Sequence, residues 1–332
     1  MLEAFRLPFI GLLILLFFLA GTDSAAAAGD YKKSKGPYEV STLLEEWHDT
    51  KRDRTIPVKI YYAPEAKGER PIIIFSHGLG GSREAVPRLG EHMASYGYVC
   101  VHIQHPGSDE SVWKGKKGNA RQELAAATRD RQSTINRYID PRFVIDELTR
   151  ANASHAVLKN RLDISKIGMS GHSFGGHTTY ATIGQKFGQR SLADTRIKAA
   201  IVYSPAPPNR GSAEAAFANI RVPVFGFTGT EDRNPADLGR GEMKPEDRQI
   251  PYEATKAPEQ YLLVLKGADH GTFGGRQGRV VKSDAAFRDI VHMASIAFWD
   301  AYLLNDATAK NWLKEKSGLR SILAPGDLYK NK

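Results

Sequence analysis

The chain has 332 residues, 41% hydrophobic, 25% charged and 9% aromatic, an ordinary globular composition that excludes a disordered chain, a collagen-like repeat and a polytopic membrane protein. Lysine and arginine number 46 against 37 aspartate and glutamate, a formal charge of +9. The basic residues are scattered and no nucleic-acid motif accompanies them, so they read as solvated faces that could meet an anionic surface, and nucleic acid is not an expected partner.

In chain order, Arg6 precedes an apolar run at residues 9–20 that is too short for the roughly 20 helical residues of a bilayer span, and small residues follow at 25–28. Residues 1–28 are therefore expected to be a secretory signal peptide, with a retained anchor as the alternative, and 29–332 a secreted or periplasmic catalytic domain. The only cysteine, Cys100, excludes an internal disulfide and sits in an apolar run where a buried thiol is the expected role.

Residues 38–47 and 55–62 are rich in β-branched and aromatic side chains and flank a charged turn, predicting an antiparallel hairpin at a sheet edge. Short, nearly continuous apolar runs follow at 72–76, 98–103, 167–171, 199–203, 224–228 and 261–265, the pattern of strands buried on both faces. Helical patterns at 82–96, 129–158, 175–187, 212–220 and 284–304 separate them. The order βαβα predicts one α/β domain with a mostly parallel, doubly wound sheet.

Gly171-His172-Ser173-Phe174-Gly175 matches G-x-S-x-G. A strand runs into it and a helix opens after it, the context of a nucleophile elbow, which makes Ser173 the candidate nucleophile. A serine hydroxyl needs a base, which in this fold class comes later in the chain. Of the ten histidines, His270 is chosen because it follows the last buried strand, at the carboxyl edge of the sheet. His172, His177 and His292 are assigned to packing or solvent.

The orienting acid should lie between serine and histidine. Asp232, in the turn after residues 224–228, is the choice; Glu231 and Asp237 stay open, and Asp269 is too near His270 in sequence to reach its ring from behind. An oxyanion hole needs two N–H donors, one from the residue after the nucleophile, Phe174, and one from the glycine-rich loop after residues 72–76, where Leu79 offers its backbone. That loop lacks the lysine of a P-loop and the spacing of a dinucleotide fingerprint, so neither cofactor nor metal is expected.

Residues 204–222 carry Pro205, Pro207, Pro208 and one short helical stretch, too little chain for a large cap domain, so any cover comes from 107–120 or 233–258. Trp113 and Tyr252 are the aromatics of those loops taken as candidates to meet an apolar acyl group.

Residues 75–80, 171–176 and 267–270, with His105-Pro106-Gly107-Ser108 and residues 47–57, resemble the α/β-hydrolase superfamily, particularly its dienelactone-hydrolase-like and platelet-activating factor acetylhydrolase branches. The resemblance implies carboxylic-ester hydrolysis through an acyl-enzyme, with Ser173, Asp232 and His270 as triad and Leu79 and Phe174 at the oxyanion hole. The acetylhydrolases place their acid where this chain has Ser204, whereas polyester hydrolases and cutinases place it one strand later, as at Asp232. True dienelactone hydrolases use cysteine where this chain has Ser173. The expected activity is that of a secreted serine esterase on a small-molecule, lipid or polyester ester; an acyl-peptide or amide hydrolase, and a binding protein on an inactive hydrolase fold, are the alternatives.

Overall fold

The computed structural model describes residues 30–208, 210–233, 243–275 and 284–332. The expected signal peptide and Asp237 lie outside the described residues. The chain opens with the predicted hairpin, β1 (Ser41–Asp49) paired antiparallel with β2 (Arg54–Tyr62). Then come β3 (Arg70–Ser76), α1 (Pro87–Ser95), β4 (Val99–Ile103), α2 (Ala120–Arg129), α3 (Arg131–Ser154), β5 (Leu162–His172) and α4 (Phe174–Ile183). A two-residue hairpin, β6 (Lys186–Phe187) with β7 (Arg190–Ser191), leads to β8 (Ile197–Tyr203), α5 (Ala213–Phe217), β9 (Val224–Glu231) and α6 (Ile250–Ala254). The chain ends with β10 (Gln260–Asp269), α7 (His270–Gly274), α8 (Asp284–Leu303), α9 (Ala307–Lys314) and β11 (Leu328–Asn331).

Nine strands form one sheet in the order β1-β2-β4-β3-β5-β8-β9-β10-β11. The inner neighbours from β4 to β10 pair in parallel, while β2 on β4 and β11 on β10 are antiparallel. This is the α/β-hydrolase architecture, and every apolar run predicted as a strand lies in it. Side chains alternate between its faces: Ile73 and Phe75 join one core with α1, α8 and α9, Ile72 and Ile74 the other with α3 and α4. All the inner parallel strands therefore end at one edge, and the loops leaving that edge build the site.

Three features depart from the expectations. The helix predicted over 129–158 is α3, but an unpredicted helix, α2, precedes it: Asn119 caps α2, and Asp130 separates the two by capping α3 through Gln132 and Ser133 N–H. The 107–120 loop holds a 3₁₀ turn at Glu110–Val112. At the far edge α9 and β11 were not predicted; β11 is four residues without an apolar run, and only its pairing with Tyr261–Val264 defines it.

His102 on β4 lies in the core between the rings of Tyr61 and Phe75, each with its centroid 4.9 Å away, and its Nδ1–H donates to Ala85 O at 3.0 Å. Burial, with the nearby Lys59 charge, holds its pKa down at about 3, and burial holds His92 and His292 at about 4 and about 3. The unfolded chain takes up protons on these rings below about 6.5, the folded chain only at much lower pH, so stability falls as pH drops through that window. Melting temperature is expected to decline progressively from pH 6.5 to 4, and His102→Asn, which keeps the donor to Ala85, to flatten the decline while melting lower at neutral pH. A melting temperature constant from pH 7 to 4.5 would overturn this account.

Candidate active site

The elbow forms because β5 turns into α4 within one residue. Ser173 stands at the turn with φ 55° and ψ −113°, a strained conformation for a residue with a Cβ. The flanking glycines are steric requirements: a Cβ on Gly171 would lie 2.2 Å from Gly175 O, and one on Gly175 would lie 1.9 Å from Ser76 O. The start of α4 is thus pressed against the end of β3. Phe174 is the first residue of α4, so its N–H has no partner within the helix.

The loop after β3 is held from behind. Buried His77 accepts the His105 N–H at Nε2 (3.1 Å), so its proton is on Nδ1, which donates to Gly78 O at 2.6 Å; the Gly81 N–H donates to the same oxygen at 3.1 Å. In a trans peptide the C=O and N–H point opposite ways, so fixing the Gly78 carbonyl inward turns the Leu79 N–H to the other side of the loop.

Beneath both segments lies Arg137, fully buried. It donates to Thr178 Oγ1 (2.9 Å), Ser108 Oγ (2.8 Å), Ser76 Oγ (3.1 Å) and the His77 carbonyl, and its guanidinium lies 4.5 Å from the Phe174 ring centroid. One planar fork thus spans the loop after β3 and the start of α4. His105 carries the network on, from Ser76 Oγ at 2.9 Å to Asp140 Oδ2 at 2.9 Å, where Arg52 and Arg54 also bind. Burial alone would raise the Asp140 pKa, but hydrogen bonds from His105 and Arg54 outweigh it and hold the carboxyl at about 2.

β9 and β10 deliver Asp232 and His270 to the same edge. Asp232 is fully buried; its Oδ1 lies 2.8 Å from His270 Nδ1 and its Oδ2 accepts from Thr228 Oγ1 at 2.9 Å. Burial would raise its pKa, yet the His270 hydrogen bond and the Arg248 charge together pull it below the ordinary carboxylate value. A carboxylate accepts only, so Nδ1 of His270 carries the proton and Nε2 is left as the basic nitrogen. Among the described residues no hydrogen bond joins Ser173 Oγ to His270.

Of the other acid candidates, Glu231 is exposed and Asp269 caps α7 through the Thr272 N–H at 3.0 Å. Trp113 is brought to the loop after β3: its Nε1–H donates to Gly80 O at 2.8 Å and its ring remains partly exposed. Tyr252 is not brought to the site, which corrects that assignment. It lies on α6 against Lys332, whose Nζ donates to Tyr252 O at 2.7 Å and lies 4.6 Å from the ring centroid, and Lys332 pairs with Gln260 at the start of β10. A crossover between parallel strands must return the chain to the amino edge, so a residue just before β10 ends at the opposite end of the sheet from His270.

Two residues at the site were not assigned there from the sequence. His172, given a packing role, donates from Nε2 to His270 O at 3.1 Å, with the two ring centroids 4.6 Å apart; burial and the neighbouring His270 keep its pKa well below the ordinary value, so it stays neutral. Arg248, on a 3₁₀ helix at Pro245–Gln249, is buried against Asp232 and His270. Its only sequence signal is a lone arginine in a polar stretch, which reads as surface. Among the described residues no group of three or more histidine, cysteine or acidic side chains could hold a metal ion.

Residues 41–129 match the family model described as platelet-activating factor acetylhydrolase, isoform II. Over 310 residues the chain is 27% identical to the platelet-activating factor acetylhydrolase of Cavia porcellus, covering 81% of this chain and 66% of that protein. The corresponding protein of Canis lupus familiaris is 23% identical over 317 residues, covering 80% and 64%. Cutinase est2 of Thermobifida alba is 28% identical over 211 residues, covering 64% of this chain and 56% of its own. The chain thus spans about two thirds or less of the length of these relatives, whose names are those of carboxylic-ester hydrolases.

Proposed function

We propose that this α/β-hydrolase-fold chain, a relative of acetylhydrolases and cutinases, is a serine carboxylic-ester hydrolase that works through an acyl-enzyme. The observation that carries the reading is the convergence at one sheet edge of Ser173 on its elbow and the His270–Asp232 pair joined at 2.8 Å. His270 Nε2 takes the Ser173 proton as Oγ adds to the ester carbonyl carbon. The carbonyl oxygen gains charge and is met by the backbone N–H groups of Phe174 and Leu79. Collapse breaks the bond to the alcohol oxygen, which leaves with the proton from His270, and a water activated by the same nitrogen releases the acid and restores Ser173. Asp232 holds the Nδ1–H tautomer and offsets the charge of the imidazolium.

Substrates within this reading are lipid or polyester esters, in keeping with the relatives' names, with an apolar acyl group passing Trp113. Export fits the sequence of residues 1–28, and among the described residues no helix is long and apolar enough to cross a membrane. A fluorophosphonate tests the proposal directly. Ser173 Oγ displaces fluoride from phosphorus, so the protein should gain one adduct, located on Ser173 by peptide mass, and lose its hydrolysis of short-chain p-nitrophenyl esters in step. No adduct and no ester hydrolysis would defeat it.

A further inference from the structure

Arg248 places a second fixed charge on the acid and base. Its side chain is 2% exposed: Nε lies 2.8 Å from Asp232 Oδ1 and donates to Asp232 O at 2.7 Å, Nη1 donates to Ser204 O (3.0 Å) and Pro205 O (3.2 Å), and Nη2 lies 3.1 Å from His270 Nδ1. The last contact cannot be a hydrogen bond while Nδ1–H donates to Asp232, because a guanidinium has no acceptor. It is a contact between two donors.

Resting on the esterase reading, we propose that Arg248 is a positioning residue that fixes the Asp232 carboxylate and keeps His270 in its neutral, proton-accepting form at mildly acidic pH. Asp232 alone would favour the imidazolium, since a buried carboxylate at 2.8 Å attracts positive charge. Arg248 neutralises that carboxylate and adds its own positive charge beside the ring. The other groups facing His270 do not replace it: His172, from the end of β5, is neutral, and Asp269, beside His270 in the chain, is engaged in capping α7. The Ser204 and Pro205 carbonyls, just after β8, anchor the fork, so the carboxyl ends of β8 and β9 are tied through one side chain beside His270.

The test compares Arg248→Gln, which removes the charge, with Arg248→Lys, which keeps it. The acid limb of kcat/KM against pH is expected to move up by about one pH unit in the glutamine variant and to stay in place in the lysine variant, whose kcat falls at all pH values because the fork is lost. A residue that only supports the fold would lower the whole profile without moving the limb. Following the His270 ring protons by NMR, assigned with His270→Gln, reads the same upward displacement without turnover, so a protein lacking esterase activity would overturn the functional reading and still test this one. An unmoved limb and ring titration in a folded glutamine variant would overturn the proposal. Should the glutamine variant not fold, Arg248→Met, which also removes the charge, takes its place: a limb moved upward supports the proposal and an unmoved one overturns it.

Discussion

Replacing Ser173 by alanine is expected to lower ester turnover by about 10⁵- to 10⁶-fold, the scale seen when the nucleophile is lost from a serine hydrolase triad. The fold should tolerate the change. Alanine bears the same left-handed strain at φ 55°, and the elbow is fixed by Gly171, Gly175 and the Ser173 backbone, whose N–H bonds to Tyr203 O at 3.0 Å and whose carbonyl accepts from Gly176 at 2.8 Å. The purified variant should melt within a degree or two of the unaltered protein and take up no fluorophosphonate. Turnover within tenfold of the original would show that the nucleophile lies elsewhere.

Asp232→Asn is the second large effect, a fall of about 10⁴-fold in kcat. The amide can present its NH₂ to Nδ1, and the ring then carries its proton on Nε2, where it cannot accept from serine. Here the change also leaves Arg248 buried without its counter-charge, so a loss of stability should accompany the loss of rate. Glu231→Gln serves as the comparison, because that side chain is exposed one residue away and should change kcat less than twofold. A larger loss for Glu231→Gln than for Asp232→Asn would reassign the acid.

The order of elements was legible because each buried strand is a short apolar run and each crossover up to β9 a helical pattern. The elbow was legible for a steric reason: a turn that presses a helix start against Ser76 O tolerates no Cβ, and the glycines forced by that contact are visible as letters. His270 could be picked by counting strands to the last buried run. The surrounding support was hidden, because Arg248 bonds largely to carbonyl oxygens that every residue possesses and Arg137 largely to hydroxyls distant in the sequence, and nothing in the letters tells such an arginine from a solvated one. His172 was hidden for a related reason, since its partner is a backbone oxygen 98 positions along the chain. Tyr252 was misplaced by treating the whole segment after Asp232 as a loop over the site, although a parallel crossover must carry its last turn to the other edge.

The four-residue strand β11 has a bearing on how the protein fails when heated. Edge strands are templates for self-association unless short, charged or covered, and β1 meets that requirement with Glu45, Glu46, His48 and Asp49 in a nine-residue strand. At the opposite edge the shield is only Leu328–Asn331, anchored by the buried Tyr329 ring and its hydroxyl bond to Leu313 O at 2.8 Å. If that tail peels away, the apolar stretch Tyr261–Val264 of β10 presents a row of unpaired backbone groups to solvent. Aggregation from the partly unfolded protein should therefore nucleate at this edge, and a better-anchored tail would delay clumping without touching the site at the carboxyl ends of the strands.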